Sequence, residues 1–147
     1  MYDALLVATA IGSGVVGGVF FAFSAFVMQG LDRLGEDEAA AAMRSVNLTA
    51  VRPPLMVLLF GTGALAVVAG VWSLTRGDGP LVPAGAAVLV LGTLVTTAVA
   101  NVPLNDRLAA ATVPWSTYRR AWVRWNHVRT VSGALSCGLL CAGLFQR

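Results

Sequence analysis

Four long apolar runs divide the chain, and polar residues gather almost entirely between them. The runs cover residues 4–28, 55–74, 81–104 and 128–145, each near the length of about 20 residues that crosses a bilayer as a helix. No Lys or Arg precedes the first run, and it exceeds a signal-peptide core, so a retained helix is expected. Between the first two runs, GEDEAAAAMRSVNLTAV predicts a short helix over about residues 37–51, with acidic residues at its start to suit the helix dipole. Pro53 and Pro54 stop it and open the next span. Its Met43, Val46, Asn47 and Ala50 share one face, which predicts a helix lying along the membrane surface or capping the bundle. TRGDGP between the second and third runs is a tight turn. The expected fold is an all-α integral membrane protein, one domain over 1–147. Its four transmembrane helices form an up-down bundle, with a short amphipathic helix between spans 1 and 2.

Two details refine this pattern. Gly14 and Gly18 in span 1 have the GxxxG spacing that lets another backbone approach. They serve either packing within the chain or a homo-oligomer seam. At the end of span 3, Thr97, Asn101 and Asn105 follow one another at four-residue spacing, so a regular helix stacks them on one face. Pro103 among them perturbs the helix and frees a carbonyl.

The densest polar stretch opens the last run: WSTYRRAWVRWNHVRTVSGALS, Trp115 to Ser136. Projected at about 100° per residue, Trp115, Tyr118, Trp122, Trp125, Asn126, Arg129, Gly133 and Ser136 share a broad face. Arg120, Arg124 and His127 lie opposite. Two readings stand. The aromatic and arginine residues form a collar at the membrane–water boundary, or the Trp/Asn/Arg face lines a pocket between helices. From Ser116 to Phe145 a single helix runs roughly 45 Å, longer than a hydrocarbon core of about 30 Å. Its first half should therefore project through the interface, with Arg129 near the boundary.

Composition then excludes much. The chain is 57% apolar and 12% charged, and all ten basic residues are arginine. The net charge of +3 comes from loops, without the dense basic face of a nucleic-acid binder. Cys137 and Cys141, one helical turn apart, suit small buried apolar positions better than a disulfide. With a single histidine and no acid beside the cysteines, no metal or haem and no other cofactor is expected. No Asp or Glu lies within a span, which counts against a proton-coupled exporter. Arginine counts favour loops 29–53 and 105–127 in the cytoplasm, since only Arg76 and Arg147 lie at the other end. Both termini are then outside. Asn47, Asn101, Asn105, Trp122, Trp125, Asn126 and Arg129 all converge on one side of the membrane.

GGVFFAFSAFVMQGL, MRSVN, NVPLND and WVRWNHVRT, in this order and spacing, resemble the anthrone oxygenase-like family of small membrane proteins. The resemblance covers nearly the whole chain and implies a four-helix membrane bundle. For the characterised members it also implies cofactor-free oxidation of a polycyclic anthrone to an anthraquinone by O2. Asn47, Asn101, Pro103, Asn105, Trp122, Trp125, Asn126 and Arg129 match recurrent positions of the family. That chemistry needs little from a protein: an anthrone loses a proton beside its carbonyl, and the delocalised anion reduces O2 directly. The protein must hold a flat ring system, stabilise the oxyanion and admit oxygen. Arg129 is expected at the oxyanion, with Asn101, Asn105 and Asn126 donating hydrogen bonds. Trp122, Trp125 and the cluster containing Phe20 and Phe23 would sandwich the rings, and Asn47 would face them from the interfacial helix. Neither His127 nor Asp106 shares these faces, so no dedicated base is evident. The rival expectation is a structural or accessory protein whose polar knot fixes helix packing and leaves no cavity.

Overall fold

A computed structural model describes residues 1–146; Arg147, counted above for orientation, lies outside them. The described chain is helical, without strands. Four helices are long and apolar enough to cross a membrane: α1 (Tyr2–Leu31), α3 (Pro53–Arg76), α4 (Leu81–Ala109) and α5 (Trp115–Phe145). Helix α2 (Glu36–Ala50) stands between the first two. Each long helix extends beyond the apolar run that marks it, because the flanking residues continue the helix.

The bundle runs up and down, and α1 and α5 are antiparallel. At one end Tyr2 and Leu6 pack with Leu140; at the other, Asn126 meets Phe20 and Ser24. Their closest crossing uses Gly17 and Gly133. A Cβ on Gly133 would lie 2.6 Å from the Gly17 Cα, so Gly133 has no room for a side chain, and a Cβ on Gly17 would be tight at 3.1 Å from Ala134 N. Nearby, Ser136 Oγ donates to Ser13 Oγ at 3.3 Å. The crossing therefore falls beside the GxxxG pair. The buried stripe of α1 runs through Ala10, Ser13, Gly17 and Phe20, spacing that keeps one face inward. Gly14 lies at its margin against Cys137, and Gly18 faces open space.

Helix α2 begins with Glu36, Asp37 and Glu38, whose charges complement its N-terminal dipole. Its Ala39 and Met43 are buried with Met28, Leu108, Tyr118 and Trp122. Arg44 Nη1 also donates to Leu108 O at 3.4 Å. Of the two positions open to it, α2 takes the one that caps the bundle. At the other end, Gly77 ends α3 in a left-handed conformation (φ 72°) that a glycine adopts without steric cost.

Two of the long helices widen into π turns at the α2 end. In α1 the turn covers Phe23–Val27; in α4, Thr97–Asn101 follows an earlier one at Val90–Val95. Pro103 comes just after the last. It has no N–H to return to the preceding turn, which favours a local change of register there. Helix α5 is by contrast uninterrupted for 31 residues.

Gly133→Ala is expected to lose about 1–3 kcal/mol of stability by overpacking. Gly18→Ala should stay within about 0.5 kcal/mol of the parent. Unfolding in detergent followed by circular dichroism measures both, and equal effects would contradict the crossing described here.

Candidate functional site

Arg129 is the only buried charged residue among those described, at 4% exposure. Its Nη2 donates to Asn126 Oδ1 at 2.7 Å, and its Nη1 lies 3.4 Å from Thr97 Oγ1. The guanidinium carbon sits 4.1 Å from the Phe20 ring centroid and 5.0 Å from that of Trp122. Asn126 is fixed in turn, donating to Phe20 O and Ser24 Oγ, both at 2.6 Å. Those acceptors lie just before and inside the α1 π turn.

Charge decides what this arrangement can do. Burying an ion costs several kcal/mol even after relaxation. A hydrogen bond to a charged group returns about 1.5–3 kcal/mol, and a desolvated cation–π contact about 2 kcal/mol. Together they offset much of the penalty, but none supplies negative charge. The ion pairs among the described residues are Arg76–Asp78 and Arg119–Asp32, so Arg129 has no counter-ion.

A cavity of about 120 Å³ adjoins this cation. Phe20 and Phe23 of α1, Thr97 and Asn105 of α4, and Trp122 and Arg129 of α5 form part of its lining. Helix α2 closes it with Met43, Val46, Asn47 and Ala50, the four residues of its shared face, and α3 adds Leu55, Met56 and Leu59. Three nitrogens on lining residues are buried without a hydrogen-bond partner: Asn47 Nδ2, Trp122 Nε1 and Arg129 Nε. The lining holds no Asp, Glu or His. Of its two amide oxygens, those of Asn47 and Asn105, Asn105 Oδ1 already receives the Tyr118 hydroxyl at 2.9 Å. Donors thus outnumber free acceptors around an otherwise apolar space.

Of the residues singled out in the sequence, Asn47, Asn105, Phe20, Phe23, Trp122 and Arg129 meet at this cavity. Three do not line it. Trp125 is 42% exposed and points away, because its place at the margin of the α5 stripe turns the indole outward. Asn126 is wholly buried behind the guanidinium and positions it. Asn101 is buried with its Nδ2 3.4 Å from Trp122 O. The π turn at Thr97–Asn101 adds a residue to the local turn, so the four-residue spacing no longer stacks Asn101 with Thr97 and Asn105. His127 and Asp106 are exposed and absent from the cavity.

Sequence reasoning assigned no part to Tyr118 or Ser24. Tyr118 is fully buried and orients Asn105, and Ser24 anchors Asn126. Tyr118 lay on the α5 stripe, so its burial was readable, whereas its partner was not.

Asn126→Ala should lower stability by about 2–3 kcal/mol, since it strips a charge-assisted hydrogen bond from a buried cation. Trp125→Ala should stay within about 0.5 kcal/mol. Thermal unfolding in detergent compares them; a larger loss for Trp125→Ala would reverse the assignment of inner and outer faces.

A family model described as anthrone oxygenase matches residues 48–139. The match takes in Asn101, Asn105, Trp122, Asn126 and Arg129, while Phe20, Phe23 and Asn47 precede it. No curated protein and no solved structure matches the chain. With the family model covering more than half of its length, this four-span membrane protein belongs to the anthrone oxygenase family.

Proposed function

We propose that the protein oxidises an anthrone-like aromatic ketone or phenol with O2, using the Arg129 cavity to favour the substrate's anion. The observation that carries this reading is a buried guanidinium without a counter-ion beside an apolar cavity. A planar oxyanion supplies the missing charge, its ring packs in the cavity against Phe20, Phe23 and Trp122, and the unpartnered Trp122 and Asn47 donors are at hand.

The steps balance without a cofactor. The substrate C–H loses its proton to solvent, and Arg129 holds the resulting oxyanion. The anion passes an electron to O2, and the radical pair combines to a carbon-bound peroxide. The peroxide takes a proton back from solvent, and loss of its terminal OH with the remaining hydrogen on that carbon as water leaves a second ketone, so one oxygen atom enters the product and the other leaves as water. No carboxylate or imidazole lines the cavity. The reaction therefore suits substrates acidic enough to ionise once their anion is stabilised.

Size narrows the substrate further. An engineered apolar cavity of about 150 Å³ holds one benzene, so about 120 Å³ corresponds to roughly one ring. One ring fills that volume, so a fused system whose central ring bears the oxygen must displace α2 or extend along the α2–α3 corner. On the positive-inside rule the cavity end, with loops 29–53 and 105–127, faces the cytoplasm, and both termini lie outside.

Oxygen uptake by the purified protein tests this with a panel of anthrones and quinols. Wild type should consume O2 with at least one of them, and Arg129→Ala should lower the rate by about 10²–10³-fold while still inserting into membranes. Equal rates, or no uptake with any substrate of the panel, would remove the enzymatic reading.

A further inference from the structure

We infer that an anionic phospholipid binds in a second, separate cleft, between the α2-proximal end of α1 and the first half of α5, with its phosphate held by arginines. The cleft is open, about 1030 Å³, and shares no lining residue with the Arg129 cavity. Its charged residues are Arg33, Arg119, Arg120 and Arg124 against Asp32 alone. Four arginines less one aspartate leave an excess of +3 in this groove, equal to the net charge of the whole chain.

The single acid is already used. Asp32 accepts from Trp115 Nε1 at 3.1 Å and pairs with Arg119 Nη2 at 3.2 Å. Arg33, Arg120 and Arg124 make no ion pair among the described residues. Arg120, Arg124 and His127 form one stripe along α5 at i, i+4 and i+7. The side chains of Arg33, Arg120 and Arg124 are exposed, unlike Arg129, so they suit a ligand that arrives at the surface.

The cleft is also polarised along the bundle axis. Phe21 lies about 15 Å from Leu31 along α1, toward the middle of the span, and Arg33 follows in the turn beyond that end. On α1, Phe21 and Ala25 make the inner part apolar and Arg33 stands beyond the outer end; on α5, Arg119, Arg120 and Arg124 lie toward the outer end, with His127 one turn further in. A free phosphate would use only the outer part. A phosphate joined to acyl chains uses both, and the α1 and α5 segments concerned belong to membrane-crossing helices. At the other end of the bundle, the arginine among the described residues, Arg76, is paired with Asp78 at 2.9 Å.

Native mass spectrometry of the detergent-solubilised protein tests the assignment, with phosphatidylglycerol and phosphatidylcholine added in equal amounts. Wild type should retain phosphatidylglycerol preferentially, by about fivefold or more, as expected from about one such factor for each arginine near the phosphate. Arg120→Gln with Arg124→Gln should bring the two lipids to parity. Arg107→Gln, at the same end but outside the cleft, should keep the preference. Equal retention by wild type overturns the proposal without reference to any variant. An equal loss in Arg107→Gln also overturns it, because the charge would then act as a diffuse collar. Glycerol phosphate should fail to displace the lipid; displacement at equal concentration would assign the cleft to free phosphate and defeat the lipid claim. None of these outcomes depends on oxygen chemistry at Arg129.

Discussion

A single guanidinium, buried without an opposing charge, sets the terms for the α2 end of this bundle. Its neighbours are explicable as the means of keeping it there. Asn126 accepts from it and is itself tied to Phe20 O and Ser24. Phe20 and Trp122 place π faces beside it. Two π turns reshape α1 and α4 where they meet it. Such turns loosen the regular backbone ladder, and helices tolerate them where side chains or function require. Stabilising the cation by aromatic faces and amides, rather than by a carboxylate, leaves its charge available to something else.

The same geometry separates holding from acting. Asn126 and Asn101 face protein, while Asn47 and Asn105 face the cavity. A knot built only for packing would use every amide internally and fill the space between them. Here a space remains, with buried nitrogens around it that have no acceptor. Its volume matches about one aromatic ring, which makes α2 the element whose position governs how much of a larger ring system is admitted. Helix α2 is held by Met43 packing and by one long hydrogen bond from Arg44, ties lighter than those joining α1 to α5.

The sequence carried the architecture because hydrocarbon thickness leaves few choices: four runs of sufficient length, one amphipathic helix and one tight turn specify the bundle. It carried the α5 stripe equally well, since an uninterrupted helix keeps its period from Trp115 to Gly143. Where the period breaks, projection misleads. Asn101 leaves the line of Thr97 and Asn105 because a π turn intervenes, and nothing in TTAVANVPLND except Pro103 marks that turn. Trp125 fell within a face drawn too broadly, although its angular distance from the centre of the stripe was visible. The Gly17–Gly133 crossing was hidden by a more familiar spacing one residue away. The partnership of Tyr118 with Asn105 depends on side-chain geometry that no one-dimensional pattern contains.

Ionisation of a bound phenol reports directly on the availability of the Arg129 charge. 4-Nitrophenol has one ring, and its phenolate absorbs visible light, so its titration can be followed in the protein's presence at fixed detergent. With wild type, the bound phenol should ionise at a pH lower by about 1–3 units than in detergent alone, as for an acid beside an unpaired cation, and Arg129→Gln should erase that difference. A bound phenol that ionises at its ordinary pH or above, or equally in both proteins, would mean that the guanidinium's charge is not free to act on a ligand.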